Sequence, residues 1–267
     1  MTEFHVSSAQ GVNYVVREDK FVWELIPEKL STVILSVPHD GLPARDFQGL
    51  VWPIQPNLRG LDSPAGLRDT GVWFIARGIA ERTPVSVVRG MLPRYIIDYN
   101  RLWSDESRDG IDPWVKAKLC PNEKIGEELW RHYYEKLETA TKRSCDGLGA
   151  ERTLLLDLHG FQIYPDDRYD IVLGTMNGHT VGFDKDVSLA AHLSGCGYKV
   201  LLPEHLTEYS YSPANPYSGG NIIRQCHRDH QIDCVQVEIQ ASFRCLEMDY
   251  RMNWLVGDLV RFIESLV

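Results

Sequence analysis

The sequence predicts an α/β protein, a three-layer α/β/α sandwich. Two observations predict it. Near-continuous apolar runs, VILSV (33–37), TLLLDL (153–158) and KVLL (199–202), suit strands covered on both faces. Segments with helical spacing of apolar residues lie between such runs, and that interleaving calls for helices on both sides of a sheet. The 267 residues suffice for one large domain, and no linker divides them, so a single domain over 1–267 is expected.

Taken in order, the strand candidates are Thr32–Val37, Val85–Arg89, Tyr95–Tyr99, Thr153–Leu158, Asp170–Gly174, Lys199–Leu202 and Cys234–Gln240. The first helix follows Asp69, where Val72, Ile75, Ala76, Ile79 and Ala80 recur on one face. A long second helix opens at Pro121-Asn122-Glu123, runs toward Cys145 and stops at Asp146-Gly147. Phe183–Leu193 is a third, and the C-terminal helix carries Leu255, Leu259, Phe262, Ile263 and Leu266 on one stripe. Between the first strand and the first helix, Gln48–Arg68 is rich in Gly, Pro and Asn and reads as a long loop, of the length that often carries function.

Bulk properties exclude several classes. A formal net charge of -9 argues against sequence-independent nucleic-acid binding, which needs a basic face. No apolar run approaches the roughly 20 residues of a membrane span. The start MTEFHVSSAQGVNY lacks a basic stretch followed by an apolar one, so it is not read as a secretory signal. The six cysteines form no CxxC pair and read as reduced thiols of a cytoplasmic protein.

The chemistry should sit beyond the carboxyl ends of the strands. Two histidines fall there: His39 after VILSVP and His159 after LLLDL, each followed closely by glycine. Two imidazoles and a carboxylate form a common catalytic zinc shell that leaves a place for water; equally, a histidine in this position can be a hydrogen-bonded turn residue. For the third ligand the choice is Asp69, in RDTG; its alternative use is the N-cap of the helix behind it. Asp40 and Asp46 are weaker choices. Asp157 shares a strand face with His159 and could orient it.

Other polar groups are spread along the chain. In VQVEIQ, Glu238 lies opposite to Val235, Val237 and Ile239, either on a solvated edge or as a general base. Asn100 and Arg101 in RYIIDYNR could grip a carboxylate through a forked hydrogen bond, with Asp98 bracing an arginine; a surface ion pair is the alternative. Gly219-Gly220 lets a ligand approach the backbone, and Arg224 adds positive charge, although Gly-Gly also makes plain turns. His227 and His230 fit a solvated helix end better than a metal site.

Together the segments SVPHDG (36–41), RDTGVWFIA (68–76), PRYIIDYNR (93–101), LLDLHGF (155–161), DIVLG (170–174), YSGGNIIR (217–224) and VQVEIQASFR (235–244) resemble the N-formylglutamate amidohydrolase family. They stand in the family's order over nearly the whole chain. The family is similar to zinc carboxypeptidases and aspartoacylase, which implies their phosphorylase/hydrolase-like sandwich around a mixed, mostly parallel sheet. The resemblance further implies one zinc ion on His39, Asp69 and His159, and Glu238 as the base. It implies Asn100, Arg101 and Arg224 as substrate binders; Gly219 and Gly220 join them as a place where a ligand can approach the backbone, and Arg94 is expected beside the reacting carbonyl. The implied activity is hydrolysis of a small N-acyl amino acid; hydrolysis of another amide or peptide, and a silent acid-binding protein, are the rival readings. Asp40 stands where a small residue is usual, and Ile223 where threonine is frequent; both departures concern the substrate rather than the metal.

Overall fold

A computed structural model of the chain describes residues 2–19, 21–40, 69–92, 94, 97–101, 123–161, 169–202, 219–244 and 249–267. The described strands are β1 (Thr2–Ser7), β2 (Asn13–Glu18), β3 (Val22–Pro27), β4 (Val33–Val37), β5 (Ser86–Gly90), β6 (Leu154–Phe161), β7 (Ile171–Gly174), β8 (Val200–Leu201) and β9 (Asp233–Gln240). The α-helices are α1 (Val72–Ala80), α2 (Glu123–Leu148), α3 (Lys185–Gly195), α4 (Asn221–His230) and α5 (Asp249–Ser265). No helix among the described residues is long and apolar enough to cross a membrane.

All nine strands join one mixed sheet in the order β1-β2-β3-β5-β4-β6-β9-β7-β8. Its centre, β5-β4-β6-β9, is parallel throughout, as is the β7-β8 pair. The antiparallel pairings are β1-β2, β2-β3, β3-β5 and β7-β9. Parallel pairing therefore dominates the buried centre and antiparallel pairing the N-terminal flank.

Two apolar cores lie on the two sides of this sheet. One gathers α1, α3 and α5 against Val33, Leu35, Val37, Leu154, Leu156, Leu158, Val235, Val237 and Ile239. The other gathers α2 and α4 against Ile34, Leu155 and Cys234. The period of two along a strand sorts these residues. It also sends Ser36, Asp157, His159, Gln236 and Glu238 to the side of α2 and α4.

The sequence and the structure part at several places, one of them α4 (Asn221–His230), which was not among the expected helices. The strands β1–β3 were not expected. β1 is exposed along its whole length, so it has no buried face to give an apolar period; the meander begins with a turn closed by Gly11 N–H donating to the Ser8 carbonyl, 3.0 Å. The expected strand Tyr95–Tyr99 does not form over its described part: Asp98 Oδ1 accepts the Asn100 N–H at 3.0 Å, and Tyr99 and Asn100 lie in a turn. A carboxylate two residues back offers the backbone a competing partner and bends it out of the ladder. The third helix starts at Lys185, two residues late. Asp233 explains the shift, since its carboxylate takes the N–H groups of Gly182, Phe183 and Lys185 (2.6, 3.0 and 3.0 Å). The loop Gln48–Arg68, the alternative ligand Asp46 and the start of the second helix at Pro121-Asn122 lie outside the described residues. Cys145, Cys196, Cys226 and Cys234 are free thiols.

Candidate metal and hydrolase site

Three elements deliver the central group. β4 ends at Val37, and two residues later His39 is carried to its carboxyl end. His159 lies in β6, two strand positions from its end. Asp69 is pinned by its backbone N–H, which donates to the His39 carbonyl at 3.1 Å. The plain N-cap reading of Asp69 does not hold, because Gly71 (φ 94°) occupies the N-cap position of α1. The carboxylate that does meet the first turn of α1 is Asp40, whose Oδ2 accepts the Trp73 N–H at 2.7 Å. Asp40 is thus an anchor of α1 rather than a member of the central group.

The His39 and His159 rings have centroids 4.8 Å apart. One oxygen of Asp69, Oδ2, lies 3.1 Å from His159 Nδ1 and 3.5 Å from His39 Nδ1. One donor atom from each of the three residues falls within 4.8 Å of the others, and all three residues are buried. The opposite ring nitrogens are each held by a carboxylate: His39 Nε2 by Asp98 Oδ1 at 2.8 Å, and His159 Nε2 by Asp157 Oδ2 at 2.9 Å. Where those carboxylates accept the Nε2 protons, both Nδ1 lone pairs face the common centre. Histidine ligands of metals are usually oriented in this way. Among the described residues His39 Nδ1 is buried without a hydrogen-bond partner, a costly arrangement that a cation at the centre would relieve. The donor set, two imidazoles and one carboxylate, suits a divalent transition metal.

The electrostatics of the group follow from burial and crowding. Burial raises the Asp69 carboxyl, but the His159 and His39 rings outweigh it and hold Asp69 far below the usual carboxylate range. Asp98 is likewise lowered, against its burial, by Arg94, His39 and Arg101. Burial would discharge His159, yet Asp157, Asp69 and Glu238 push its proton affinity well above that of free imidazole. This clustering of acid around two imidazoles favours positive charge at the centre.

Glu238 is 6% exposed, so the solvated-edge reading fails. β9 is flanked by β6 and β7, and Glu238 stands in register with His159. Gln236 Nε2 donates to its Oε1 at 2.8 Å. Burial raises the Glu238 carboxyl above its ordinary value and Asp69 adds to this, while His159, Arg94 and His39 oppose the rise. A carboxylate raised in this way is a better proton acceptor at neutral pH.

Arg94 donates through Nε to Asp98 Oδ2 at 3.0 Å, as expected of a braced arginine, and its charge is felt by Asp69 and Glu238. Asn100 is 3% exposed and its carboxamide is engaged within the protein. Nδ2 donates to Gln236 Oε1 at 3.0 Å and lies 3.3 Å from His159 Nε2; Oδ1 accepts the Ile222 N–H at 3.2 Å and so caps α4. The close approach at the glycine pair is made by this same carboxamide, because a Cβ on Gly220 would sit about 2.1 Å from it. Gly219, at φ 130°, packs instead beneath Ile223 and Met176. Arg101 follows Asn100, donates through Nη1 to the Asn100 carbonyl at 3.0 Å, and has a buried Nε with no partner among the described residues. Arg224 lies half-buried in the first turn of α4. His227 sits near the end of that helix, its Nδ1 bonded to the Ile232 carbonyl at 2.7 Å, away from the central group.

Sequence reasoning missed three members of the surroundings, Ser36, Tyr133 and Gln236, and one contact of Asp98. Ser36 Oγ donates to Asp157 Oδ1 at 2.6 Å, and Tyr133 Oη meets Ser36 Oγ at 2.8 Å. Gln236 bridges Asn100 and Glu238, and Asp98 holds His39 as well as Arg94. Ser36 and Gln236 were accessible from strand parity, since they alternate onto the face of Asp157 and Glu238. Tyr133 and the Asp98–His39 contact depend on packing between distant segments.

The geometry can be set beside known proteins. The family model described as N-formylglutamate amidohydrolase matches residues 31–243. The chain is 20% identical to the N-formylglutamate amidohydrolase of Ralstonia eutropha JMP134, with TM-score 0.67, covering 93% of this chain and 98% of that one. It is 16% identical to the Atu2144 gene product of Agrobacterium tumefaciens, with TM-score 0.60 and coverage of 88% and 89%. The succinylglutamate desuccinylase of Vibrio parahaemolyticus is 12% identical, with TM-score 0.51 and coverage of 99% and 67%. These structures share the fold. Comparison with curated proteins returns no match. With the family model matched from β4 through β9, this chain belongs to the N-formylglutamate amidohydrolase family.

Proposed function

We propose that the protein hydrolyses the amide bond of a small N-acyl amino acid of the N-formylglutamate type, with one zinc ion held by His39, Asp69 and His159. The observation that carries the reading is the convergence of His39 Nδ1, Asp69 Oδ2 and His159 Nδ1, with the far ring nitrogens braced by Asp98 and Asp157. A divalent cation bound there supplies Lewis acidity and lowers the pKa of a coordinated water to about 7.

The chain's own groups do the rest. Glu238, raised by burial, takes the proton of the attacking water and later passes it to the leaving amine nitrogen. Water and amide are thereby converted to a free acid and a free amine, with no proton gained or lost. Arg94 puts a fixed positive charge beside the trio and Glu238, where negative charge develops on the carbonyl oxygen. Arg101 and Arg224 are assigned to the substrate carboxylates, where forked hydrogen bonds would fix the substrate's orientation. Asn100, Gly219 and Gly220 are assigned a positioning role: the carboxamide joins His159 to the start of α4, Gly220 makes room for it, and Gly219 makes room for Ile223 and Met176.

The test combines metal analysis of the purified protein with a deacylation panel of N-formyl, N-acetyl and N-succinyl amino acids. Stoichiometric zinc and preference for acidic amino acids are expected. Glu238→Gln should keep zinc and lose turnover by about 10²-fold or more, on the scale of general-base catalysis. Near-normal turnover in that variant removes Glu238 from the mechanism, and a metal-free protein with full activity removes the zinc.

A further inference from the structure

Arg244 has no role in the chemistry outlined above, yet it is 5% exposed and lies at the junction of the segments that carry that chemistry. Among the described residues its guanidinium makes three bonds, all to backbone carbonyls. Nε donates to Ile239 at 2.9 Å, Nη2 to Phe161 at 3.0 Å, and Nη1 to Thr70. Ile239 follows Glu238 in β9, Phe161 ends β6 two residues after His159, and Thr70 follows Asp69. One side chain therefore ties together the backbones of the general base, one imidazole ligand and the carboxylate ligand.

Glycines surround it. A Cβ on Gly160 would lie 2.2 Å from the central carbon of the guanidinium and 2.4 and 2.6 Å from two of its nitrogens, so the arginine crosses flat over that strand residue. Gly71, at φ 94°, passes beneath the Arg244 carbonyl, where a Cβ would meet the oxygen at 2.0 Å. Burial lowers the proton affinity of Arg244, and the nearby charges of Asp69, Glu238 and Asp40 counteract that. The planar fork suits the task, since its donors reach three acceptors in fixed directions, which an ammonium cannot do.

We infer that Arg244 is a positioning residue: it clamps the Asp69 segment to the ends of β6 and β9 and thereby sets the separation of the metal ligands from Glu238. The inference rests on the trio and base assigned above. It accounts for a glycine at position 160, in the middle of the His159-Gly160-Phe161 strand end, by the room the guanidinium needs.

The experiment uses two ways of removing the same clamp. Arg244→Met deletes the fork; Gly160→Ala leaves the arginine in the chain but takes its place over β6. Zinc affinity is measured by competition with a chromophoric chelator, and turnover with N-formylglutamate. Each single variant should bind zinc about 10- to 100-fold more weakly, the usual scale for losing an outer support of a metal site, and should lose kcat with little change in KM. The double variant should be no worse than Arg244→Met alone, because alanine fits once the guanidinium is gone. Arg244→Lys should not restore either property. Wild-type zinc affinity and kcat in both single variants, or losses that multiply in the double variant, overturn the inference. An unmodified protein that neither binds zinc nor deacylates overturns the trio reading, and the clamp's function with it. Should Arg244→Met not fold, Gly160→Ala and its chelator titration decide the matter.

Discussion

At the scale of single residues, the orientation of two imidazoles decides what the site can hold. Asp157 is buried in the sheet, accepts Ser36 Oγ on one oxygen and faces His159 Nε2 with the other. Changing it to asparagine keeps the shape but removes the charge that keeps the proton on Nε2, leaving the Nδ1 lone pair free for a cation. Asp157→Asn should weaken zinc binding about 10- to 100-fold while leaving the fold intact by circular dichroism; an unchanged zinc titration would show that Asp157 does not set the tautomer. This neighbour of His159 was legible in the sequence, because two positions along a strand return to the same face. The matching contact on His39 was not. Asp98 reaches it from a turn, where no period says which way a side chain points. The same limit applied at Asp69, where cap and ligand use one residue type at one spacing, and only the tertiary position of the carboxylate separates them.

Among the secondary-structure elements, the start of α4 connects the fold to the site. Its Ile222 N–H is capped by Asn100, a residue 122 positions away in the chain, and the same carboxamide contacts His159 and Gln236. Gly220 is the residue that permits the approach. Gly220→Ala would drive a methyl group to about 2.1 Å from that carboxamide. Overpacking of this kind typically costs about 1–3 kcal/mol. Loss of the cap adds to it, so the variant should unfold at a lower denaturant concentration and bind zinc more weakly than wild type. A midpoint and zinc affinity equal to wild type would remove Asn100 from the link. The glycine pair stood out in the sequence, but what approached it did not: a ligand and a protein side chain ask the same of a glycine. The strands of the parallel centre were legible for the opposite reason. Burial on both faces leaves runs such as VILSV and TLLLDL that admit few other readings, whereas the exposed β1 leaves no pattern at all.

For the molecule as a whole, folding forces into one small volume charges that the open chain keeps apart. Asp69, Asp157 and Glu238 are buried and Asp98 is partly buried around His39 and His159, with Arg94 a cation beside them and Arg244 close by. Strand order brings this about: β4, β6 and β9 are adjacent and parallel, so three carboxyl ends distant in sequence open on one side. A cation bound to the folded chain and not to the unfolded one stabilises it by mass action, by about 2.7 kcal/mol at a free concentration 100 times its dissociation constant. For a chain of this size each kcal/mol moves the melting temperature by about 2–4 °C. Stripping the metal with a chelator should therefore lower the melting temperature by about 5–10 °C, and added zinc should restore it. His39→Ala should melt at one temperature whether zinc or chelator is present, since the trio has lost a ligand that β4 supplies. The measurement is a thermal scan of both proteins under both conditions. A chelator shift of equal size in His39→Ala would place the metal elsewhere in the molecule, and no shift in either protein would mean that the buried acids are balanced by the histidines and arginines alone.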